Sequence, residues 1–546
     1  MKSFIRIAII TLATTACIWA KHPKIAADLN ENETPPKEVD LIIQYNVTPT
    51  KSQHDKVRNK GGQLKTDLTV INAGHYSVSS AALTELANDP EVAYISPDRA
   101  VHVTLSYATP AVNADIAQSY GWNGTGIGIA VLDSQVQLNA DLQDAAGLSR
   151  VVYSDSLDAH GGDSYGHGTH VAGIIAGNGA WSIADHLTAV YRGIAPNAKI
   201  VSLKVLDGNG AGTDSTVIAG IQRAIALKST YNIRVINISL GRPVQGSYKQ
   251  DPLCQAVEQA WKAGIVVVVA AGNEGRNNSQ GTNGYATISS PGNDPYVITV
   301  GAMKTMGTIT RADDLIASYS SKGPSLIDHV VKPDLVAPGN RTVSYAFNSN
   351  LYKQHSADRI DRYLTLSGTS MATPVVSGAA ALLLQQNPNL TPDQVKARLM
   401  KTASKNFPSS STATDPTTGV TYTSQYDIFT IGAGYLDVWA ALNNTDTTGA
   451  GKTAMSPLAS YDSANGKVSL VSDTSALWGT SALWGTSALW GTNVFVTGSS
   501  ALWGTSALWG TSTAQGFSAL WGTSALWGTS ITPSSEAVTL LTNGEN

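Results

Sequence analysis

The stretch Ser367-Gly-Thr-Ser370-Met-Ala-Thr-Pro374 leads into a run of small and apolar residues that extends from Val375 to Leu384. A helix that is apolar on every side is buried, so this pattern predicts a helix in the interior of a domain. The N-terminus of that helix then lies deep in the domain. Ser370 would stand at this N-terminus, where backbone N–H groups have no partner inside the helix.

Short apolar strands alternate with helices around this stretch, from about residue 120 to residue 443. A strand that is apolar throughout, rather than at every second residue, is typical of a parallel sheet covered by helices on both faces. The sequence therefore predicts an α/β domain with a mostly parallel sheet over 104–443. The strand candidates are Gly128–Leu132, Ile200–Val205, Val235–Ile238, Ile265–Ala270 and Tyr296–Val300.

Three further motifs place polar side chains at the ends of such elements. Asp133 ends the strand Ile129-Ala-Val-Leu-Asp133, and Asn273 follows another buried strand in Ala270-Ala-Gly-Asn273-Glu-Gly. His167 begins an apolar helix in Gly166-His167-Gly-Thr-His170-Val-Ala-Gly173. Because open α/β sheets place their sites just past the strand ends, these side chains are expected near one another.

The four residue types suit acyl transfer. A serine hydroxyl is a poor nucleophile until a base takes its proton, and His167 can be that base for Ser370. Asp133 can hold the imidazole in the right tautomer. The side-chain amide of Asn273 and the backbone N–H of Ser370 can stabilise an oxyanion. Alone, each residue could be an N-cap, a core histidine or a turn residue; the four motifs together favour catalysis.

These motifs, in the chain order Asp…His…Ser, closely resemble those of the subtilisin-like serine proteases, the subtilases. The resemblance covers about 120–443, including Gly432-Ala-Gly-Tyr-Leu-Asp437, which is similar to the family's closing segment. It implies a serine-type endopeptidase that acts on proteins or peptides through Asp133, His167 and Ser370. Gln135 departs from the pattern, since the family usually has glycine there. This departure predicts a strained turn or a side chain over the substrate cleft.

Residues 40–103 are expected to form a separate unit with the order β-α-β-β-α-β, which is a ferredoxin-like arrangement. This unit resembles the inhibitor-type propeptide of secreted subtilases. The resemblance implies that the chain's own propeptide acts as a chaperone and intramolecular inhibitor. Self-cleavage is expected near 103–109, because the last strand of the unit would lie in the active-site cleft.

Substrate is expected to bind as an added strand between two edges of backbone. One edge is Ser239-Leu240-Gly241, and the other extends from Gly208 through Gly210 to Gly212, where glycine lets backbone approach backbone. In the family, a residue at the position of Gly284 shapes the base of the main pocket. Glycine there implies a deep, uncharged pocket and a preference for apolar or aromatic residues before the scissile bond.

The family resemblance also implies structural calcium. Asp141 lies in the neighbourhood of a family calcium ligand, and the long loop Gly177 to Gly193 could supply carbonyl oxygens. Calcium takes six to eight oxygen ligands, so one aspartate is not a site. The sequence therefore leaves calcium unlocated.

The first 20 residues have the features of a secretory signal peptide, with Lys2 and Arg6 before an apolar run that is too short to span a membrane. Residues 21–39 are expected to be a linker, and no later segment is long and apolar enough to span, so we expect a secreted protein. The net charge of −4 argues against a nucleic-acid binder. The two cysteines, Cys17 and Cys254, cannot form a disulfide framework.

Residues 444–546 form a tail of different composition, in which Ser-Ala-Leu-Trp-Gly-Thr occurs seven times. In an extended chain its tryptophans would share one face, so stacked copies could bind a polymer, a cell surface or another partner. A low-complexity tail is the equal alternative, and the sequence names no tail partner. The alternative function is an inactive subtilase-like scaffold that carries this tail for adhesion or binding.

Overall fold

A computed structural model gives the structure of the protein for residues 22–26, 29, 36–98, 100–103, 110–157, 161–185, 187, 189–279, 281–415, 418–445, 453–462, 467–471 and 545. The predicted signal peptide and the hexapeptide repeats lie outside these residues. None of the helices in the described ranges is long and apolar enough to cross a membrane.

The N-terminal unit is a four-stranded antiparallel sheet in the order β2-β3-β1-β4, with two helices on one face. The predicted order β-α-β-β-α-β is confirmed. Helix α1 begins where expected, since Thr50 and Gln53 form a capping box. The elements are β1 (Glu38–Tyr45), α1 (Lys51–Asn59), β2 (Gln63–Leu68), β3 (Ala73–Ser79), α2 (Leu83–Ala87) and β4 (Val92–Pro97).

The central strand β1 is buried on both faces over its residues 41–45, where successive side chains point to opposite faces of the sheet. Leu41 and Ile43 join the unit's own core with α1 and α2. Ile42 and Leu68 instead join the hydrophobic core of the large unit that follows. The small unit is therefore packed face-on against the large one.

Part of the predicted linker is built into the small unit. Ile25 forms a parallel bridge with Ile95, and Ile25, Ala26 and Leu29 are buried. This corrects the interpretation of 21–39 as a linker throughout. Although the segment is polar in composition, three of its side chains are apolar and cover the edge of β4.

The large unit has the predicted α/β architecture, and its elements follow in chain order after β5 (Ala100–Val103), the strand that ends the N-terminal unit and pairs with the large one. They are α3 (Ala114–Ser119), β6 (Gly128–Asp133), β7 (Val151–Ser156), α4 (His167–Ala176), α5 (Ala180–Ala184), β8 (Lys199–Lys204), β9 (Ala211–Thr213), α6 (Asp214–Ala226), α7 (Lys228–Tyr231), β10 (Ile233–Ile238), β11 (Leu240–Gly241), α8 (Pro252–Lys262), β12 (Val266–Ala270), β13 (Ile298–Lys304), β14 (Leu315–Ile316), β15 (Leu335–Pro338), β16 (Thr342–Tyr345), α9 (Asn350–Gln354), β17 (Arg359–Ile360), β18 (Tyr363–Leu366), α10 (Thr369–Gln386), α11 (Pro392–Thr402), β19 (Ser410–Thr414), β20 (Thr421–Gln425), α12 (Val438–Asn443), β21 (Leu458–Asp462) and β22 (Lys467–Val471).

The main sheet has the order β14-β13-β12-β10-β6-β8-β7, and β15 also pairs with β13. Every pair in it is parallel except β13 with β14. All residues of β6, β12 and β13 are buried, as expected for strands covered on both faces. The carboxyl ends of β6, β10, β12 and β15 therefore meet at one edge, where open α/β sheets place their sites.

Helix α10 is the buried helix that the sequence predicts. Its residues 369–384 are all buried, and it packs against α4 and against strands β10, β12, β13 and β15. The segment before β8 also packs closely on this helix, since a Cβ on Gly378 would lie 2.5 Å from Cβ of Ile194. The N-terminus of α10 consequently lies at the carboxyl edge of the main sheet.

The large unit extends past its predicted end at residue 443. Ser456 Oγ donates to Asp334 Oδ1 at 2.5 Å and accepts from Lys396 Nζ at 2.9 Å. The backbone N–H of Val331 donates to the carbonyl of Pro457 at 2.8 Å. The first part of the predicted tail is thus packed on the large unit.

Candidate active site

Asp133 and His167 meet at the edge of the main sheet. Asp133 is the last residue of β6, and His167 is the first residue of α4. His167 Nδ1 lies 2.6 Å from Asp133 Oδ1, which also accepts from the backbone N–H of Ser134 at 2.8 Å. With Nδ1–H donating to the carboxylate, the ring keeps its lone pair on Nε2. That Nε2 is buried and has no hydrogen-bond partner among the described residues.

Ser370 lies in the first turn of α10, and Pro374 changes the hydrogen bonding of that turn. Proline has no N–H, so it cannot donate to the carbonyl four residues earlier, which is that of Ser370. Ser239 Oγ donates to that carbonyl instead, at 2.6 Å. The Ser370 hydroxyl donates to the carbonyl of Ser239 at 2.9 Å. The structure therefore ties Ser370 to Ser239, and its hydroxyl is not hydrogen-bonded to His167.

Asn273 is fixed to the start of α10. Its Oδ1 accepts from the backbone N–H of Thr369 at 2.8 Å and from Thr369 Oγ1 at 3.0 Å. Because the carbonyl end of the side chain is held in this way, the amide end is left to donate elsewhere. A side-chain amide and the N–H groups of a helix N-terminus are thus brought to one place, which suits a developing negative charge.

Asp163 is a buried carboxylate that the sequence analysis missed. Its Oδ1 accepts from Ser134 Oγ and from the backbone N–H of Gly166, both at 2.8 Å, and its Oδ2 accepts from the N–H of Thr169 at 3.0 Å. Burial raises the pKa of Asp163 to about 6. It links the residue after Asp133 to the first turn of α4. An aspartate one turn before the predicted start of an apolar helix is the signal that could have found it, because carboxylates accept from the free N–H groups of a helix N-terminus.

His170 and Gln135 have structural contacts. His170 Nε2 lies 2.9 Å from the carbonyl of Leu364, and burial lowers the pKa of His170 to about 3. Gln135 has φ of +92°, so the predicted strain is present. Its Nε2 donates to Ser154 Oγ at 2.7 Å, and its Oε1 accepts from the N–H of Gly162. The side chain is thus hydrogen-bonded to strand β7 and to the backbone of the loop before α4.

The predicted substrate edges flank strand β5. Val103 and His102 of β5 pair with Leu240 and Gly241 on one side, and Ala100–His102 pair with Ala211–Thr213 on the other, both antiparallel. Gly208 and Gly210 precede β9 in a turn closed by Asp207, so they lie beside the paired edge rather than in it. The second edge is therefore Ala211–Thr213, which lies further along the chain than the predicted Gly208 to Gly212.

Gly284 lies against the loop that carries Asn273. It has φ of +80°, and a Cβ there would lie 1.8 Å from the carbonyl oxygen of Gly275. Both its conformation and the close approach require glycine. Gly284 therefore packs against the backbone of Gly275, which follows Asn273 by two residues.

The residues around Asp141 do not fit a calcium ion. The carboxylate already accepts from the N–H of Trp181 at 2.8 Å and from the Tyr363 hydroxyl at 2.6 Å. The guanidinium of Arg150 occupies the neighbouring carbonyls: it donates to those of Asp141, Ala176, Ala198 and Gln143 at 2.8, 2.6, 3.0 and 3.2 Å. Within the described ranges, no group of three or more His, Cys, Asp or Glu side chains could hold a metal.

Comparison with known proteins gives consistent matches. A model of the subtilase family matches residues 124–421. Serine protease AprX of Bacillus subtilis (strain 168) is 37% identical over 355 residues, which cover 63% of this chain and 76% of that protein. The thermostable alkaline protease of Halalkalibacterium halodurans is 32% identical over 400 residues, covering 72% of this chain and 92% of that protein.

A solved structure shares the fold. Fervidolysin from Fervidobacterium pennivorans, described as a keratinolytic enzyme related to subtilisin, matches with a TM-score of 0.55 and 25% identity, over 78% of this chain and 63% of that chain. Together these matches show that the chain is a serine-type endopeptidase. More particularly, it belongs to the subtilase family, as its motifs imply.

Arg150 is expected to stabilise this region without calcium. Arg150→Met would remove the donor to the carbonyls of Ala176 and Ala198, whereas those of Asp141 and Gln143 keep donors from Asn178. The free energy of unfolding should therefore fall by about 2 kcal/mol or more. Arg223→Met is the matched control, because Arg223 is 45% exposed beside Asp155 and should cost about 1 kcal/mol or less. Urea unfolding should give the same loss of free energy for Arg150→Met in EDTA as in calcium chloride. If this loss depends on calcium, the ion binds at Asp141.

Proposed function

We propose that this endopeptidase cleaves peptide bonds with Ser370 as nucleophile, His167 as general base and Asp133 as the group that orients His167. The contact between Asp133 and His167 carries the proposal. It fixes the tautomer and leaves a buried, unpartnered Nε2 at the sheet edge where α10 begins. A base with no other partner is ready to take a proton. The proposal requires the Ser370 hydroxyl to turn from the Ser239 carbonyl to His167 Nε2.

The proposed reaction has two stages. The proton of Ser370 Oγ passes to His167 Nε2 as Oγ attacks the substrate carbonyl, and the imidazolium is stabilised by Asp133. The amide of Asn273 and the N–H of Ser370 hold the oxyanion. His167 then gives its proton to the leaving amine, and water releases the acyl-enzyme by the same route.

The alternative is an inactive scaffold that carries an adhesive tail. A complete set of Asp133, His167, Asn273 and Ser370 favours the enzyme. Hydrolysis of azocasein by the unmutated protein would support the enzyme, and its absence would support the scaffold. For a structural calcium ion, which the family resemblance implies, the proposal requires a position away from Asp141.

The proposed specificity is broad. Substrate would take the place of β5. Its backbone would pair with Ser239-Leu240-Gly241 on one side and with β9, which follows Gly208 and Gly210, on the other. Backbone pairing does not select side chains, so selectivity comes from individual pockets. Gly284 leaves the base of the main pocket without a side chain, which favours large apolar or aromatic residues before the scissile bond.

We also propose that the N-terminal unit is an inhibitory propeptide of an exported precursor. Strand β2 lies against α6, and the turn at 69–71 lies against α8. The carboxylate of Asp98 accepts from the N–H and the hydroxyl of Ser215 at the start of α6. The chain then enters the cleft as β5. These contacts hold residues 100–103 where a substrate strand would bind, and cleavage is expected shortly after them, near 103–109.

Substitutions in the catalytic set should have graded effects on kcat. Ser370→Ala and His167→Ala should remove nearly all turnover of azocasein. Asn273→Ala should lower kcat by ~10²–10³, because one oxyanion donor is lost while the nucleophile survives. Asn277→Ala, a nearby asparagine in the same loop, is the control and should keep the parent rate. A parent-like rate in Asn273→Ala would refute the assigned role.

Pocket selectivity can be measured with p-nitroanilide peptides that differ in one residue before the scissile bond. A substrate with Phe there should have a kcat/KM about tenfold or more above its counterpart with Arg. The reason is that an aromatic ring gains apolar burial in an uncharged pocket, whereas a guanidinium loses hydration without a partner. A library profile dominated by Arg or Lys would contradict the proposed pocket.

Maturation should depend on the chain's own activity. Ser370→Ala should accumulate as a precursor that retains residues 40–103, whereas Asn277→Ala should be processed like the parent. Intact-mass measurement and N-terminal sequencing of the secreted proteins would show both ends. If Ser370→Ala is cut between 103 and 109 in a host without proteases, maturation is not autocatalytic.

A further inference from the structure

Glu545, the penultimate residue of the chain, is buried against the large unit. Its Oε1 lies 2.7 Å from Arg276 Nη2 and accepts from the N–H of Ser318 at 2.9 Å, and the Ser318 hydroxyl donates to the same oxygen. Its Oε2 lies 3.2 Å from Lys304 Nζ. Two positive side chains and a serine thus surround one carboxylate.

The backbone of Glu545 is bound as well. Asn340 Nδ2 donates to the Glu545 carbonyl at 2.8 Å, and the Glu545 N–H donates to Asn340 Oδ1 at 2.9 Å. One asparagine side chain therefore pairs with both backbone groups of the residue. This combination selects a peptide that carries a glutamate, because a simple anion has no backbone groups to pair with Asn340.

The pocket is built from buried residues, which we call the glutamate pocket: Arg276, Lys304, Ser318 and Asn340. Each is at most 7% exposed. Arg276 is held in place by Ser318 Oγ and by Asp415 Oδ2, each at 2.8 Å. Burial alone would raise the pKa of Glu545, but Lys304, Arg276 and the Ser318 donors outweigh it and hold that pKa below its usual range.

The glutamate pocket lies close to the proposed active site. Arg276 follows Asn273 by three residues, and Asn340 follows β15 at the carboxyl edge of the main sheet. The N–H of Gly275 donates to the carbonyl of Tyr319, the neighbour of Ser318, at 2.8 Å. The end of the chain is thus bound beside the loop that carries Asn273.

The sequence between the two packed parts of the tail contains all seven hexapeptide repeats. The chain is fixed on one side at Ser456, which binds Asp334 and Lys396, and on the other side at Glu545. The entropy cost of joining the ends of a chain grows only slowly with its length, so one strong anchor can hold a long segment.

We propose that the glutamate pocket is a binding site for the chain's own C-terminal end, and that Glu545 latches the tail to the catalytic unit. The repeats are then attached to the enzyme at both ends rather than at one. This latch does not depend on the catalytic roles proposed above, since none of its contacts involves Asp133, His167 or Ser370.

The test compares two charge-neutralised variants of the full chain in a Ser370→Ala background, which limits self-digestion. Glu545→Gln should lower Tm by about 3 °C or more, because it leaves Arg276 and Lys304 buried with less negative charge. Glu85→Gln is the matched control, since it removes the same charge from a side chain that is 63% exposed beside Lys60. It should leave Tm nearly unchanged, because exposed ion pairs contribute little to stability. Equal Tm values for the parent and both variants, or equal losses, would overturn the latch.

A peptide added in trans tests the site itself. The synthetic hexapeptide Leu-Thr-Asn-Gly-Glu-Asn, which copies residues 541–546, should raise Tm of the Glu545→Gln protein in a saturable manner. The same peptide with Gln for Glu should not, and Lys304→Met in the Glu545→Gln chain should abolish the effect. Absence of any peptide effect would overturn the proposal.

Size-exclusion chromatography of the parent distinguishes a latch within one chain from exchange between chains. The proposal expects a monomer at all concentrations tested. A dimer that dissociates in Glu545→Gln would show that the pocket takes the end of another copy, and the intramolecular latch would be wrong.

Discussion

Burial of α10 is the constraint on which the rest of the structure depends. A helix that is apolar on all sides must be enclosed, and here four strands and α4 enclose it. Its first turn still has N–H groups that the helix cannot satisfy. One of them, on Thr369, is satisfied by Asn273, which comes directly from the end of β12. The same burial therefore brings the ends of strands and the start of the helix together.

Pro374 extends this argument to Ser239. Because proline cannot donate to the Ser370 carbonyl, a donor must come from another element, and the residue after β10 supplies it. Ser239 thereby connects the start of α10 to β11, the short strand that pairs with β5. The structure joins Ser370 and the substrate edge by one pair of reciprocal hydrogen bonds. In the proposed mechanism, the bond from Ser239 Oγ to the Ser370 carbonyl remains when the Ser370 hydroxyl turns to His167. A change at Pro374 would act on both.

Charged residues are few in this chain, at 14%, yet several are buried where segments join. Arg242 follows β11 and pairs with Asp214 at the start of α6 at 2.7 Å and with Asp251 at the start of α8 at 2.8 Å. A buried ion pair contributes little net stability over apolar packing, but removal of one partner is costly. These pairs therefore determine where the joined segments lie relative to one another. Here they hold the substrate edge against the two helices that also carry the N-terminal unit.

The sequence predicts the parts of this architecture that depend on local pattern. The candidate strand Gly128–Leu132 is β6 apart from its last residue, and the capping box of α1 lies where expected. By contrast, β13 extends to Lys304, past the apolar run that predicts it, because β14 and β15 both pair with its end. The pairing of Glu545 with Arg276 joins residues 269 positions apart, and Glu545 lies in a tail of low-complexity composition. No local pattern could reveal that contact, and the same holds for Ser239 and Ser370. Such distant contacts depend on the burial of α10, since its enclosure brings the loops that form them to one edge of the sheet.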